Sequence, residues 1–143
     1  KVRRQMVLST YGDFPWIATL YYAIDQDLNM YFLSDPSTIH CRQLEQNPQV
    51  AVSVADSPQD PESKKKGIQL SGTAKKISTL THLRQAMTLW RNALNITNAE
   101  YEAEQIFSGK LKFQLYKIVP KKIKFFNQEL FKVEDGKEPI LEL

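Results

Sequence analysis

The sequence predicts a mainly β fold: an antiparallel sheet of six or seven strands rolled into a closed or nearly closed small barrel, with about three helices outside it. Short runs of β-branched and aromatic residues are separated by hairpin-length turns. Helical periodicity is confined to a few segments, and nowhere does a strand–helix–strand unit repeat.

Met6-Val7-Leu8-Ser9-Thr10 reads as a first strand and Tyr11 to Pro15 as a turn. Trp16 to Ile24 reads as a second strand, apolar on both faces, so it is expected to be central and covered on each side. A turn at Asp25-Gln26-Asp27 leads into a third strand, Leu28 to Leu33. Asp35-Pro36 then opens a helix from Pro36 to Gln46. Asp35 would accept bonds from the first-turn amides, and proline at the first helical position wastes none. Asn47-Pro48 ends it, and Val50 to Val54 forms a fourth strand.

Asp56 to Lys66 carries two prolines and a triple lysine, with almost nothing to bury, and reads as a loop. Gly67 to Ile77 is a fifth strand with Ile68, Leu70, Gly72 and Ala74 on one face and Gln69, Ser71 and Thr73 on the other; Gly72 marks a bulge. From Thr79 to Ile96 the period changes, and Leu83, Met87, Trp90 and Leu94 make one helical stripe. Thr97-Asn98-Ala99-Glu100 has capping-box form and opens another helix, closed by Gly109 in the left-handed conformation. Leu111 to Val119 alternates as a strand, and the pattern resumes after Pro120 through Lys122 to Phe126.

At 143 residues the chain suffices for one domain, expected to span 1–143. The only cysteine, Cys41, excludes an internal disulfide and suits a reducing, cytoplasmic setting. No apolar run is long enough to span a membrane, and the first residues lack a signal-peptide pattern. The net charge of +3 is unevenly spread: lysines crowd Lys110 to Lys124, while the tail after Glu129 is mostly acidic. The lysine run reads either as a solvated strand face or as a lure for an anionic ligand.

The chemistry open to these residues is narrow. Two histidines and one cysteine in no ligand spacing give no metal site. Cys41 cannot be activated by His40, its chain neighbour, because adjacent helical side chains diverge; it reads as a small buried residue. Ser37 and Thr38 place two hydroxyls at the positive start of a helix, with His40 and Arg42 close behind, which is a seat for a phosphate. His40 is either half-buried against the barrel wall or a cation for that phosphate, and Arg42 either shares the face of Thr38 or is solvated. Gln69 either faces solvent or bonds the edge of a planar heterocycle. Trp90, in the helical stripe, reads as core.

Taken in order, these segments resemble the pyridoxamine 5′-phosphate oxidase-like family of FMN-binding split barrels. The resemblance runs from about Met6 to Ile77 and is strongest from Leu28-Asn29-Met30-Tyr31-Phe32-Leu33 through Leu44-Glu45-Gln46-Asn47-Pro48-Gln49-Val50-Ala51-Val52. A looser match covers Phe113 to Phe126. The resemblance implies an antiparallel split β-barrel, FMN as cofactor, and a homodimer with flavin at the subunit interface. It makes Thr38 a phosphate ligand, with Ser37 beside it, and sets His40 where many members carry a phosphate-binding lysine. It lays the backbone of Ala18 and Thr19 along the isoalloxazine ring and brings Gln69 to the flavin. Ile39 stands where pyridoxamine phosphate oxidases often have arginine, and no counterpart of their C-terminal Arg-x-His occurs. The small, mostly uncharacterised bacterial branch is the better comparison.

The reading is thus a flavoprotein, an FMN-dependent oxidoreductase of unknown substrate, with no catalytic acid or base singled out. One alternative is a barrel that holds FMN or haem without turnover, which the residues at Ile39 and His40 favour. Another is a nucleic-acid-binding barrel using the lysines after Gly109 with Phe113, Tyr116 and Phe125, although these aromatics read mostly as core. No nucleic-acid or membrane partner is expected.

Overall fold

A computed structural model describes residues 4–55, 60–134 and 136–143. Its strands are β1 (Gln5–Tyr11), β2 (Pro15–Tyr21), β3 (Ala23–Ile24), β4 (Met30–Ser34), β5 (Gln49–Ala55), β6 (Lys66–Lys76), β7 (Gln114–Asn127) and β8 (Ile140–Glu142). The helices are α1 (Ile39–Gln46), α2 (Leu80–Leu94) and α3 (Ala103–Phe107). All described strand pairs are antiparallel, in the order β2-β1-β5-β6-β7-β4-β3, with β8 on β7. The two ends of this order, β2 and β3, are consecutive in the chain and joined through Tyr22, so the sheet curls back on itself as a split barrel.

The seven strands on this path meet the six or seven expected, with the short β8 added beside them, and the strands depart from their expected bounds in two places. The stretch Trp16 to Ile24 does not run as one strand: at Tyr22 it leaves β1, the Tyr22 amide bonding the Arg4 carbonyl at 3.1 Å, and its last two residues pair with β4. The acidic tail also adds a short strand to β7 beyond the point where β4 ends. Lys122 and Lys124 there pair with Glu142 and Glu138, each at 3.3 Å, so part of the lysine run is neutralised by the tail.

β2 is not central. It ends the sheet, and Trp16, Ile17 and Tyr21 are 42%, 66% and 55% exposed. A strand apolar on both faces needs cover on both faces, but nothing in the described part of this chain supplies it on the outer one.

The barrel interior is filled by Met6, Leu8, Phe32, Val52, Leu70 and Ile118 with their neighbours, and Leu44 of α1 packs into it. Phe32 and Tyr116 stack inside at 5.0 Å, only 8° from parallel. Cys41 is fully buried there. A second core lies outside the sheet, where Leu83, Met87 and Trp90 of α2 and Ile106 of α3 cover Tyr31 and Leu115. α2 starts where the stripe predicts, with the Thr79 hydroxyl accepting from the His82 amide, and Asn95 closes it at φ 55°.

The helix expected from Thr97 begins later, at Ala103. Asn98 bonds the Glu100 amide through its own side chain (2.9 Å), which makes a turn of the expected capping box. Gly109 does take the left-handed conformation, at φ 78°. Gly72 sits at a register shift, and a Cβ there would come within 2.3 Å of the Val119 carbonyl oxygen. Of the loop from Asp56 to Lys66, residues 56–59 lie outside the described residues, and β6 already begins at Lys66.

Candidate functional site

The segment between β4 and α1 folds differently from a plain capped helix. The Asp35 carboxylate accepts from the Ser37 amide (2.9 Å) and the Ser37 hydroxyl (2.8 Å), which makes residues 35–38 a turn. The Thr38 amide and hydroxyl both donate to the Asp35 carbonyl, at 3.1 and 2.8 Å. The helix therefore starts at Ile39, three residues later than the Pro36 expected, with Thr38 extended (φ −68°, ψ 155°) as its N-cap. It ends at Gln46 as expected, the Asn47 amide closing on the Gln43 carbonyl at 2.8 Å.

This placement has an electrostatic consequence. Because the Thr38 hydroxyl is turned back on Asp35, α1 has no side-chain cap, and its first turn carries no acidic residue. Its opening amides, which no helix can satisfy internally, remain available to an acceptor. Beside them sits Asp35, whose carboxyl is held down to about 2 by Lys112 (2.8 Å) and by the Ser37 bonds. The turn thus offers donors and one fixed negative charge together.

His40 is 7% exposed and faces inward, its Nε2 2.7 Å from the Ser34 hydroxyl and 3.3 Å from that of Thr38. Burial pushes its pKa below the ordinary histidine value, so the imidazole is neutral in the free protein at neutral pH. Its ring also lies 6.4 Å from that of Phe32. Arg42 is exposed. Ser34 is the partner that sequence reasoning missed; a hydroxyl at the end of a strand gives no signal until the strand's exit angle is known. Gln43 was missed for the same reason: it is 6% exposed and ties the β1–β2 turn to α1, accepting from Thr10 at 2.7 Å and donating to the Phe14 carbonyl at 3.0 Å.

The remaining candidates lie on the sheet. Thr19 pairs with Val7, Val7 with Ser53, and Ser53 with Gln69, so Thr19 and Gln69 share one row on the outer face. Both are exposed. Ala18 belongs to the adjacent inward row, opposite the buried Leu8. The six candidates therefore form two groups on different elements: Ser37, Thr38 and His40 around the head of α1, and Thr19 and Gln69 outside the sheet with Ala18 behind Thr19. Of the aromatics considered for nucleic acid, Tyr116 is 3% exposed and stacked in the barrel, so it offers no platform.

Comparison with known proteins places this architecture. The family model described as pyridoxamine 5′-phosphate oxidase matches residues 2–127, and the chain belongs to that family. No curated protein matches. Among solved structures, general stress protein 26 from Bacillus anthracis str. Sterne is similar at TM-score 0.66 and 22% identity, covering 99% of this chain and 90% of the other. HutZ, the heme storage protein from Vibrio cholerae, gives TM-score 0.67 at 19% identity, covering 87% of each chain. A heme binding protein from Mycobacterium smegmatis gives 0.72 at 14% identity, over 99% of this chain but 53% of the other. At these identities the likeness is one of fold. No helix among the described residues is long and apolar enough to cross a membrane.

The residues at the head of α1 suit the terminal phosphate of FMN in part. Uncapped amides and a histidine whose protonated form a dianion would favour are present; the Ser37 and Thr38 hydroxyls donate to Asp35 and would have to turn to reach a phosphate, and the Asp35 carboxylate opposes it.

Proposed function

We propose that this chain, acting as a single domain over residues 1–143, is an FMN-binding flavoprotein of the cytoplasm and a flavin-dependent oxidoreductase. The observation that carries the reading is the uncapped start of α1, with the Thr38 hydroxyl and His40 beside it. Bound FMN would supply the redox chemistry, as cofactors do in such proteins. The chain would hold the phosphate at Ser37, Thr38 and His40, lie along the ring with Ala18 and Thr19, and meet its edge with the Gln69 amide. His40 would gain a proton as the dianion binds, exchanging a neutral buried imidazole for an ion pair.

A second copy of the chain belongs to this proposal. The phosphate ligands and the ring ligands lie on different elements, and β2 presents an apolar outer face with Ile17 and Tyr21 exposed. A homodimer burying that face would bring two flavin sites to the subunit interface.

A second reading, haem binding without turnover, draws on two of the solved structures that share the fold, whose names describe haem proteins. The visible spectrum of the purified protein separates the two. Flavin bands support FMN and a Soret band supports haem, whereas no chromophore even after FMN is added overturns the flavin proposal. Reduction of bound FMN by NADH or NADPH then distinguishes an enzyme from a carrier.

A further inference from the structure

A cleft of about 310 Å³ lies outside the barrel, away from the head of α1, between α2 and the outer face of the sheet. Tyr31 and Lys117 form its floor, His82, Gln85 and Leu89 of α2 its wall, and Asp25 its end. The size suits a small organic ligand.

Its polar groups divide into committed and uncommitted. Asp25 is committed: one carboxylate oxygen accepts from the Asp27 and Asn29 amides, the other from the Asn29 side chain and the Tyr31 hydroxyl, all at 2.8–2.9 Å. Burial raises the Asp25 pKa but these four bonds together lower it by more, so it stays charged and has no lone pair left to recruit a donor. Lys117, His82 and Gln85 are uncommitted, with no ion pair or side-chain hydrogen bond inside the described chain.

Lys117 also has an unfavourable neighbour. Its register partner on β6 is Lys75, which does not itself line the cleft, so two lysines share one row of the ladder, with no carboxylate of the described residues paired to either. Like charges placed directly across a ladder destabilise it, and an anion bound at Lys117 offsets that contribution. The wall beyond them is apolar, supplied by Ile77 and Leu89.

We propose that this cleft is a binding site for a small organic anion. Its carboxylate is held by Lys117, with the His82 and Gln85 side chains as further donors, and its apolar body lies against Ile77 and Leu89. Saturated Asp25 closes the end of the cleft and turns the anionic head toward Lys117. The site is separate from the proposed flavin seat and does not depend on it.

With only two histidines in the chain, the imidazole protons in an NMR spectrum report on the cleft (His82) and the head of α1 (His40) independently. Phenylacetate is titrated as probe, with uncharged 2-phenylethanol as its control. Phenylacetate is expected to move the His82 resonance saturably, leaving His40 in place, and Lys117→Met to weaken binding about tenfold or more, the usual worth of a charge-assisted hydrogen bond. Gln85→Ala, on the exposed face of α2, serves as a second variant and is expected to weaken binding severalfold. The proposal is overturned if the His82 resonance shows no saturable shift at about 10 mM probe, above the Kd of even a millimolar ligand. It is equally overturned if 2-phenylethanol binds as well as phenylacetate, or if both variants bind like the parent.

Discussion

The Gln43 side chain closes the barrel end by holding two segments at once: Thr10 donates to its Oε1 at 2.7 Å, and its Nε2 donates to the Phe14 carbonyl at 3.0 Å. Thr10 is 2% exposed, so its hydroxyl has no water to turn to. Gln43→Leu is expected to lower stability by about 1–3 kcal/mol, the cost of a stranded buried polar group. Adding Thr10→Val should recover part of it. Denaturant unfolding of the two single variants and the double variant measures the coupling, and strictly additive losses would remove this pair from the account.

His40 links stability to pH. Its pKa in the folded chain is depressed by burial, while in the unfolded chain it stays near 6.5, so below that value the unfolded state binds more protons. The stabilisation from neutral His40 is therefore complete above the unfolded pKa and is lost as pH falls below it, by at most about 1.4 kcal/mol per pH unit. Unfolding free energies measured at neutral and mildly acidic pH should fall more steeply for the parent than for His40→Gln. Parallel slopes would deny the linkage.

The same histidine sets the expected course of cofactor binding. If the bound phosphate protonates His40, FMN affinity rises as pH falls, and His40→Ala both weakens binding and flattens that dependence. A pH-independent Kd shared by parent and variant would exclude His40 from the seat.

Asp35 opposes an incoming phosphate. Asp35→Asn keeps an oxygen to accept from Ser37 and removes the charge, so FMN affinity is expected to rise about fivefold at low ionic strength, with the gain shrinking as salt is added. Fluorescence titration of FMN measures it. A loss of affinity would show that the carboxylate serves the site.

The outer face of β2 is the place to test association. Ile17, 66% exposed, is the most open residue of that strand's apolar set, and Ile17→Lys is expected to raise a dimer dissociation constant by about tenfold or more while leaving the fold intact. Sedimentation of both proteins over a concentration series shows it. A parent that sediments as a monomer throughout would end the homodimer proposal.

The strands and the main helices were legible wherever local pattern and tertiary structure agree: β1, β5 and β6 follow their alternation, and α2 its stripe. The sequence misleads where a side chain competes with the backbone. Asp35 and Asn98 carry helix-opening signals, yet each makes a turn of its own, and each helix starts later. β2 misled for another reason, because a strand apolar on both faces looks the same whether its cover comes from its own chain or from another. β8 has no alternation to read; its place is decided by the open edge of β7 and by lysines distant in sequence. At the candidate site the hydroxyls and His40 were visible one by one. The hydrogen bond between His40 and Ser34 depends on the exit angle of β4, which no spacing encodes.

The register shift opposite Gly72 acts as a parity switch. Tyr116, Ile118 and Pro120, all even-numbered, point into the barrel; the ladder then gains Lys121, and the inward residues become the odd-numbered Ile123 and Phe125. One supernumerary residue thus lets a 14-residue strand change which of its side chains are wet. Without it, Lys122 and Lys124 would be driven inside and Ile123 turned out. One residue inserted or deleted here without a compensating bulge would turn every following side chain of the strand to the opposite face, whereas two would leave them where they are.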